Sequence, residues 1–288
     1  MCGIFGFKFL SKSIQSKDKI LAEKSLQLII HRGPDNTGYF ISDKIFLGHN
    51  RLAILDRSTF GNQPMFNSDK SIALVFNGQI YNWKEVRANL KQKGYSFKSE
   101  CDTEVIIAAY QFYGDKFVNY LVGMWSIVIY DKINDRILIS RDRMGIKPLY
   151  YYLDNDIFIF ASEIKSIKFY LNNRITLNKE AFQRYITRGW IDFKNQSIFN
   201  KINSFKAGSI NIFKSNQLKE EIFWTLPVPN SEYVDYKIWK EKFIQITGEH
   251  LQSDNEVATT LSGGLDSSAI HYAIRENKLL KKVHAFSI

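Results

Sequence analysis

The chain has 288 residues, 45% of them apolar and 15% aromatic, enough for two domains with buried cores and inconsistent with disorder. Its formal charge is +10, but the lysines are scattered and form no arginine-rich stripe with interleaved aromatics, so a basic solvated surface is expected and a nucleic-acid partner is not. Only Cys2 and Cys101 are present, which excludes a disulfide framework and fits a reduced, cytoplasmic setting; no run approaches the roughly 18–20 apolar residues that cross a bilayer, so no membrane partner is expected.

Met1-Cys2-Gly3-Ile4-Phe5-Gly6 opens the chain. Residues 2–10 are apolar, with no basic segment before them and lysines at Lys8 and Lys12, so they are predicted to be a first strand rather than a signal peptide. Removal of Met1 would put a thiol and a free α-amine on one residue. An α-amine titrates near about 7.7–8.0 and a thiol near about 8.5, so the amine can take the thiol proton, which is the N-terminal-nucleophile arrangement. A small apolar side chain at the head of a strand is the plainer reading of Cys2. From Asp18 the residues Ile20, Leu21, Leu26, Leu28 and Ile29 recur at helical spacing. That helix should stop before the turn His31-Arg32-Gly33-Pro34-Asp35, which carries three polar side chains.

Residues 45–55 supply Phe46, Leu47, Leu52, Ile54 and Leu55 to a core, with His49-Asn50-Arg51 embedded among them. Arg51 reads either as an edge arginine snorkelling to water, which the segment alone favours, or as a guanidinium held for a carboxylate. Residues 71–76 form an apolar strand that ends in Asn77-Gly78-Gln79-Ile80-Tyr81-Asn82, read as a tight Asn-Gly turn and then a helix capped by Asn82 and Glu85. The Asn77 amide and the Gly78 N–H also offer two donors that can converge on one oxyanion. Cys101 reads as an inert buried thiol, and Asp102 as the N-cap of a helix through Val105, Ile106, Ala108, Ala109 and Phe112. Residues 124–130 and 136–140 form a hairpin, a charged loop from Arg141 re-enters the core at Leu149, and 157–161 is a further strand. Strands and helices in blocks argue for an α+β first domain.

A short helix runs from Asn178 to Gly189, followed by weaker strands at 198–202 and 209–213, and Pro227 and Pro229 with Asn230 and Ser231 mark the clearest linker. The expected division is a first domain with its connective region over 2–210, a linker over 211–234, and the start of a second domain over 235–288. In that second part a long helix at 235–252 precedes a buried strand at 257–261, the loop Ser262-Gly263-Gly264-Leu265-Asp266-Ser267-Ser268, a helix to Glu276 and a parallel strand at 283–288. Glycines followed by a helix N-terminus suit phosphate oxygens, although no Gly-Lys-Ser/Thr makes this a Walker A loop. About one βαβ unit falls short of the roughly 100–150 residues of a self-sufficient domain, so these strands are expected to leave apolar surface uncovered.

With these motifs in this order, the sequence resembles the glutamine-hydrolysing asparagine synthetases over nearly its whole length. The resemblance implies an N-terminal-nucleophile glutaminase domain, an αββα sandwich of antiparallel sheets. After it would come the first part of an α/β parallel-sheet ATP-pyrophosphatase domain, with ammonia passing between the two. It implies that Cys2 attacks the glutamine amide to form a thioester, with its α-amine as base and Asn77 and Gly78 holding the oxyanion. Arg51 would grip the substrate α-carboxylate, the backbone of Leu52, Ala53, Ile54 and Leu55 would line the site, and Asp102, with Gln79 nearby, would pair with the α-ammonium.

In the second domain Ser262, Gly263, Gly264, Ser267 and Ser268 would cradle the pyrophosphate of ATP, Asp266 would hold Mg²⁺, and Leu261 and Ile288 would sit near the adenosine. Aspartate would be adenylated and then attacked by ammonia. Glutamine, aspartate and ATP are thus the implied partners, with a second copy or a separate C-terminal chain as the protein partner. Two departures are visible: Gln79 stands where the family usually has Glu, and family members continue beyond Ile288, where the acceptor pocket would lie. Another carboxylate such as a sugar acid of a surface polysaccharide, or glutaminase activity alone, are the alternatives to aspartate amidation. A catalytically dead binding module is disfavoured by Cys2, Arg51, Asn77, Gly78 and Asp102 occurring together.

Overall fold

The structure, a computed structural model, describes residues 1–288 apart from Asn173, Ile191, Asp192, 229–234, 280–282 and Ile288. The chain divides into two bodies, Met1–Ala53 with Ser58–Thr225, and Ile54–Arg57 with Leu226–Ile288.

Short β-branched and aromatic runs make the first body two six-stranded sheets. One has the order β10 (Ile202–Ser204), β8 (Tyr150–Leu153), β9 (Ile157–Ala161), β1 (Gly3–Phe9), β3 (Ile45–Arg51), β2 (Asn36–Ile41). The other runs β12 (Gln217–Ile222), β11 (Ser209–Lys214), β7 (Arg136–Arg141), β6 (Gly123–Asp131), β5 (Ile72–Ile80), β4 (Met65–Phe66). Neighbouring strands in both are antiparallel. Ile4, Leu47, Val75, Val128, Phe158, Phe160 and Phe213 fill one shared core between the sheets. The alternate side chains of β1, Phe5, Phe7 and Phe9, point the other way, into a second core beneath α1 (Ser16–Gln27) and α4 (Ile164–Tyr170). On the far side α3 (Asp102–Tyr113) packs on β5, and α2 (Trp83–Gln92) packs on α3. The result is the αββα sandwich, and β1 is buried along its whole length because it has a helix layer on one face and a sheet on the other.

Four sequence expectations change here. Asn77 and Gly78 form no turn: they lie inside β5, opposite Ser126 and Trp125 of β6. The ladder continues through Ile80 opposite Gly123. Gly78 is needed for close approach, since a Cβ there would lie 2.1 Å from the Met124 carbonyl oxygen. Asn82 does not cap α2 with its side chain; its amide donates to Tyr120 O at 3.0 Å and its oxygen accepts Val122 N at 2.8 Å. Asp102 is the first residue of α3 rather than its cap, and its carboxylate accepts Ile80 N at 2.9 Å. The segment from residue 211, expected as linker, continues β11 and returns as β12, because β7 offers β11 an edge in the register Ser209 opposite Arg141 to Phe213 opposite Ile137. Pro229, Asn230 and Ser231 lie outside the described residues.

The second body contains α6 (Tyr236–His250), β13 (Ala258–Thr260), α7 (Leu265–Asn277) and β14 (His284–Phe286). β13 and β14 pair in parallel, Ala258 opposite His284. The two helices meet at Gly248, where the Asn277 side chain donates to Ile244 O. The segment 54–57 joins this body by Asp254 N to Ile54 O at 2.9 Å and Asp56 N to Asp254 Oδ2 at 2.7 Å. β13, expected to be buried, exposes Ala258 and Thr260: its described sheet has two strands, and its middle residue Thr259 meets α7, with Oγ1 3.3 Å from His271 Nδ1. Among the described residues no helix is long and apolar enough to cross a membrane.

Candidate active site

Cys2 sits half-buried at the head of β1, where the chain enters the sandwich. Leu52 N donates to its Sγ at 3.4 Å and Leu52 O lies 3.7 Å from the same atom, so the thiol is seated on the backbone that leaves β3. Burial pushes the thiol pKa up, while the Leu52 amide, the chain's amino group and Arg51 pull it back and Asp102 opposes them. The amino group itself is pushed down by burial and by Arg32 and Lys147, against the upward pull of the thiol and Asp35. This amino group belongs to Met1, and the α-nitrogen of Cys2 is a peptide amide while Met1 is attached.

The turn before β2 fixes this entry. Arg32 Nε donates to Cys2 O at 2.9 Å and Arg32 Nη1 to Glu163 Oε1 at 3.2 Å, and His31 Nε2 lies 2.9 Å from the same carboxylate oxygen. Gly33 must be glycine because a Cβ would fall 2.3 Å from Asn50 O. Asp35 then accepts Ala53 N at 2.8 Å. Leu52 therefore lies beside Cys2 and Ala53 follows it on Asp35, whereas Ile54 and Leu55 belong to the second body.

Arg51, favoured from sequence as a snorkelling edge residue, is 5% exposed, because β3 is flanked on both sides by β1 and β2. Its Nη1 donates to Ser58 O at 2.7 Å and to Asn62 Oδ1 at 2.9 Å, which locks the guanidinium in place. Two residues earlier on the same strand, His49 is fully buried, and burial pushes its imidazole down to about 3. It is neutral, and Nε2 carries the proton it donates to Phe76 O at 2.9 Å. That bond ties β3 to β5 one residue before Asn77.

On β5, Asn77 and Gln79 share one face by the two-residue period. Asn77 is 1% exposed and its Nδ2 is buried with no hydrogen-bond partner among the described residues. Gln63 Oε1 accepts Phe76 N at 2.6 Å, so the strand leading to Asn77 is held from both sides. Asp102 is buried beside the end of β5; burial pushes its carboxyl up to about 6, against the pull of the Ile80, Asp102 and Thr103 amides and of Arg51. The structure thus gathers Cys2, Leu52, Arg51 and Asp102 within electrostatic or hydrogen-bonding reach of one another, with β5 packed on β1 and β3.

In the second body the glycine loop is exposed. Gly263 has φ +81°, and nothing lies within 4 Å of where its Cβ would be. Ser262 Oγ accepts Gly264 N at 3.4 Å and lies 3.1 Å from Ser267 Oγ, and α7 starts at Leu265. Leu261 is fixed by its N–H to Phe286 O at 2.8 Å, and Ile288 lies outside the described residues. Among the described residues no group of three His, Cys, Asp or Glu side chains could hold a metal ion.

Residues 1–224 match the glutamine amidotransferase domain family, and 239–288 match the asparagine synthase family. The chain belongs to the glutamine amidotransferase domain family. It is 38% identical to a putative glutamine-hydrolysing asparagine synthetase 2 of Methanocaldococcus jannaschii, over all of this chain and 59% of that protein. It is 35% identical to the glutamine-hydrolysing asparagine synthetase 1 of Bacillus subtilis, over 96% of this chain and 44% of that one. The chain therefore spans about half the length of these relatives. The solved glutamine phosphoribosylpyrophosphate amidotransferase of B. subtilis superposes with a TM-score of 0.58 at 16% identity, over 99% of this chain and 65% of that chain, which shows a shared fold.

Three residues of the amidotransferase domain's site were not singled out from sequence. Arg32 and Asp35 lay within a recognised turn motif, and their signal was two charged residues flanking an obligatory Gly-Pro. Lys147 lay in a charged loop, and nothing local marks it as buried.

Proposed function

We propose that this chain is the glutaminase of a glutamine-dependent amidotransferase, and that it releases ammonia for the ATP-dependent amidation of aspartate. The observation that carries the reading is one thiol with a buried guanidinium and a buried carboxylate in its reach, Arg51 and Asp102 beside Cys2. Opposite charges fixed around a nucleophile match the α-carboxylate and α-ammonium of an amino acid, and the fork of Arg51 suits a carboxylate.

With Met1 removed, the α-amine of Cys2 accepts the thiol proton and the sulfur attacks the side-chain amide carbon of glutamine, forming the C–S bond. The carbonyl oxygen becomes an oxyanion that Asn77 Nδ2 and the Gly78 N–H stabilise. The unpartnered Nδ2 supports this, since leaving a buried donor unsatisfied costs about 1–3 kcal/mol. The C–N bond then breaks and the proton held on the amine leaves with ammonia. Water, deprotonated by the same amine, cleaves the thioester, and glutamate departs with the thiol restored. Asp102 receives the substrate ammonium, with Gln79 beside it.

Residues 262–268 would hold the phosphates of ATP, with Asp266 on Mg²⁺, and ATP when bound supplies activation of the acceptor carboxylate. The match of 239–288 to asparagine synthase supports aspartate as that acceptor. This reading requires a compartment that holds ATP and free amino acids, the cytoplasm. The test is glutamate release from glutamine by purified protein whose Met1 status is read by intact mass. Activity is expected when Met1 is absent, with loss by roughly 10⁴-fold or more in Cys2→Ala. Undiminished hydrolysis by Cys2→Ala, or by protein retaining Met1, contradicts the reading. Asparagine formation with aspartate, ATP and Mg²⁺ tests the acceptor separately.

A further inference from the structure

The corner where β9 turns into α4 is built against the head of β1. Phe5 pairs with Ala161, and the next residue, Ser162, takes both backbone groups of Ile4: Ser162 N donates to Ile4 O at 2.9 Å and Ser162 Oγ accepts Ile4 N at 3.0 Å. Ser162 is fully buried, so these bonds are shielded from water. Glu163 follows at the N-cap position of α4, where a carboxylate ordinarily accepts the first free amides of its own helix. Its side chain makes no such bond. It turns instead to Arg32, whose Nη1 donates to Oε1 at 3.2 Å while Nε of the same guanidinium donates to Cys2 O at 2.9 Å. His31 Nε2 lies 2.9 Å from Oε1 and Lys165 Nζ 3.0 Å from Oε2. Burial pushes the Glu163 carboxyl up, but the hydrogen bonds of Lys165, Arg32 and His31 outweigh it and keep the group ionised.

α4 has other anchors than this carboxylate. Ser166 Oγ donates to Ser25 O at 2.8 Å, and Ile167 is fully buried in the core that α4 shares with α1. What Glu163 holds is the fork of Arg32, 9% exposed and 131 residues away in the chain. The fork is planar and rigid, so a guanidinium gripped at Nη1 cannot swing its Nε away from the carbonyl of Cys2.

The consequence falls on one atom. The Cα of Cys2 carries three heavy substituents: the carbonyl carbon, Cβ and the α-nitrogen. Arg32 holds the carbonyl, and Leu52 N, donating to Sγ at 3.4 Å, holds the end of the side chain. With two substituents fixed, tetrahedral geometry at an L-residue fixes the third. We propose that Glu163 is a positioning residue for glutamine hydrolysis: its carboxylate keeps Arg32 on the Cys2 carbonyl, which sets the direction in which the α-nitrogen, once freed of Met1, faces the thiol. The proposal rests on the glutaminase reading, in which that nitrogen takes the thiol proton. The charges offered to the substrate belong to other residues, Arg51 and Asp102, so the effect is expected in turnover rather than in binding.

The experiment is a double-mutant cycle in protein lacking Met1, with folding read from the resistance of the 2%-exposed Cys101 to iodoacetamide. Glu163→Ala is expected to lower kcat for glutamine by roughly 10²-fold, as misplacing a reacting group by about 1 Å does, with KM within about threefold of wild type. Arg32→Met should lose at least as much. In the Arg32→Met background Glu163→Ala should add less than about twofold, because it has nothing left to act through. A carboxylate that served only stability would add its full loss in both backgrounds; that result, or a raised KM with kcat kept, overturns the proposal. If Glu163→Ala does not fold, Glu163→Gln, which still offers Arg32 an oxygen, carries the same cycle with an expected loss of about tenfold. Failure of both variants to fold makes Glu163 structural and overturns the proposal too. Absence of hydrolysis by the wild type sinks the glutaminase reading and this proposal with it, whereas an active wild type matched by an equally fast Glu163→Ala overturns this proposal alone.

Discussion

Two strands of this chain serve glycine-bearing candidate sites, β5 with Asn77-Gly78 inside it and β13 leading into the loop with Gly263-Gly264, and they are built differently. β5 is nine residues long, paired by β4 and β6, covered by α3 on one face and by β1 and β3 on the other. β13 is three residues long, paired with β14, and exposes two of its three side chains. The chemistry asks for this contrast. Oxyanion donors act only where they are held without reorganising, whereas a phosphate is gripped by backbone N–H groups at a helix start, which need only local geometry. Rigidity is thus concentrated where bonds are proposed to break.

Hydrogen exchange should show the contrast at its largest. Amides of β5 and β6 are expected to exchange at least about 10⁴-fold more slowly than those of β13 and β14, because the former open only with the whole sandwich. Similar protection in both would show that the second body is stabilised by more than its exposed ladder. Next, Asn77→Ala should cut glutamine turnover by roughly 10²–10³-fold while barely moving the melting temperature, since the lost amide makes no bond through Nδ2. A sharp fall in stability with turnover retained would make Asn77 structural.

The same substitution can be placed at both sites. Gly78→Ala sets a Cβ 2.1 Å from Met124 O and should cost about 3 kcal/mol or more in denaturant unfolding, as overpacking against backbone does. Gly264→Ala meets Ser262 Oγ at 3.5 Å and has no positive φ, so about 1 kcal/mol or less is expected, read as local exchange in α7. Equal costs would erase the distinction.

A further effect is in pH. Asp102 titrates near 6, so KM for glutamine should rise by roughly tenfold per unit as pH falls below that value and the carboxylate that takes the ammonium is lost. Asp102→Asn should remove that dependence. Stability responds with the opposite sign. A carboxyl raised in the folded state favours the native protein as pH drops from about 6 toward 3.8, whereas neutral buried His49, depressed to about 3, disfavours it progressively below 6.5. Melting curves of wild type and His49→Gln across that window separate the two, and an acid limb unchanged by His49→Gln would mean His49 is not the group that charges.

What the sequence alone determined is what local chemistry carries. Cys2 behind Met1, the donor pair Asn77-Gly78, the Arg51 and Asp102 charges, and the Ser-Gly-Gly-x-Asp-Ser loop ahead of α7 are all visible as residue types at short spacing. So is α5 (Lys179–Arg188), whose start is capped by the Asn178 side chain on Ala181 N at 3.1 Å and whose end is Gly189 at φ +68°. Only the tertiary structure decided which pairs become neighbours. Asn77-Gly78 reads as a turn until β6, in the register Gly123 opposite Ile80 to Asp131 opposite Ile72, supplies a strand for it to continue against. Arg51 reads as a surface residue until β1 and β2 flank it and Asn62 and Ser58 accept its protons. Lys147 reads as a loop lysine until Arg141 Nε on its carbonyl and Asp142 on its amide fold that loop onto β6 at Trp125 N. Register and burial are set by partners distant in the chain, and a buried charge takes its meaning from the charges brought to it, which no local window contains.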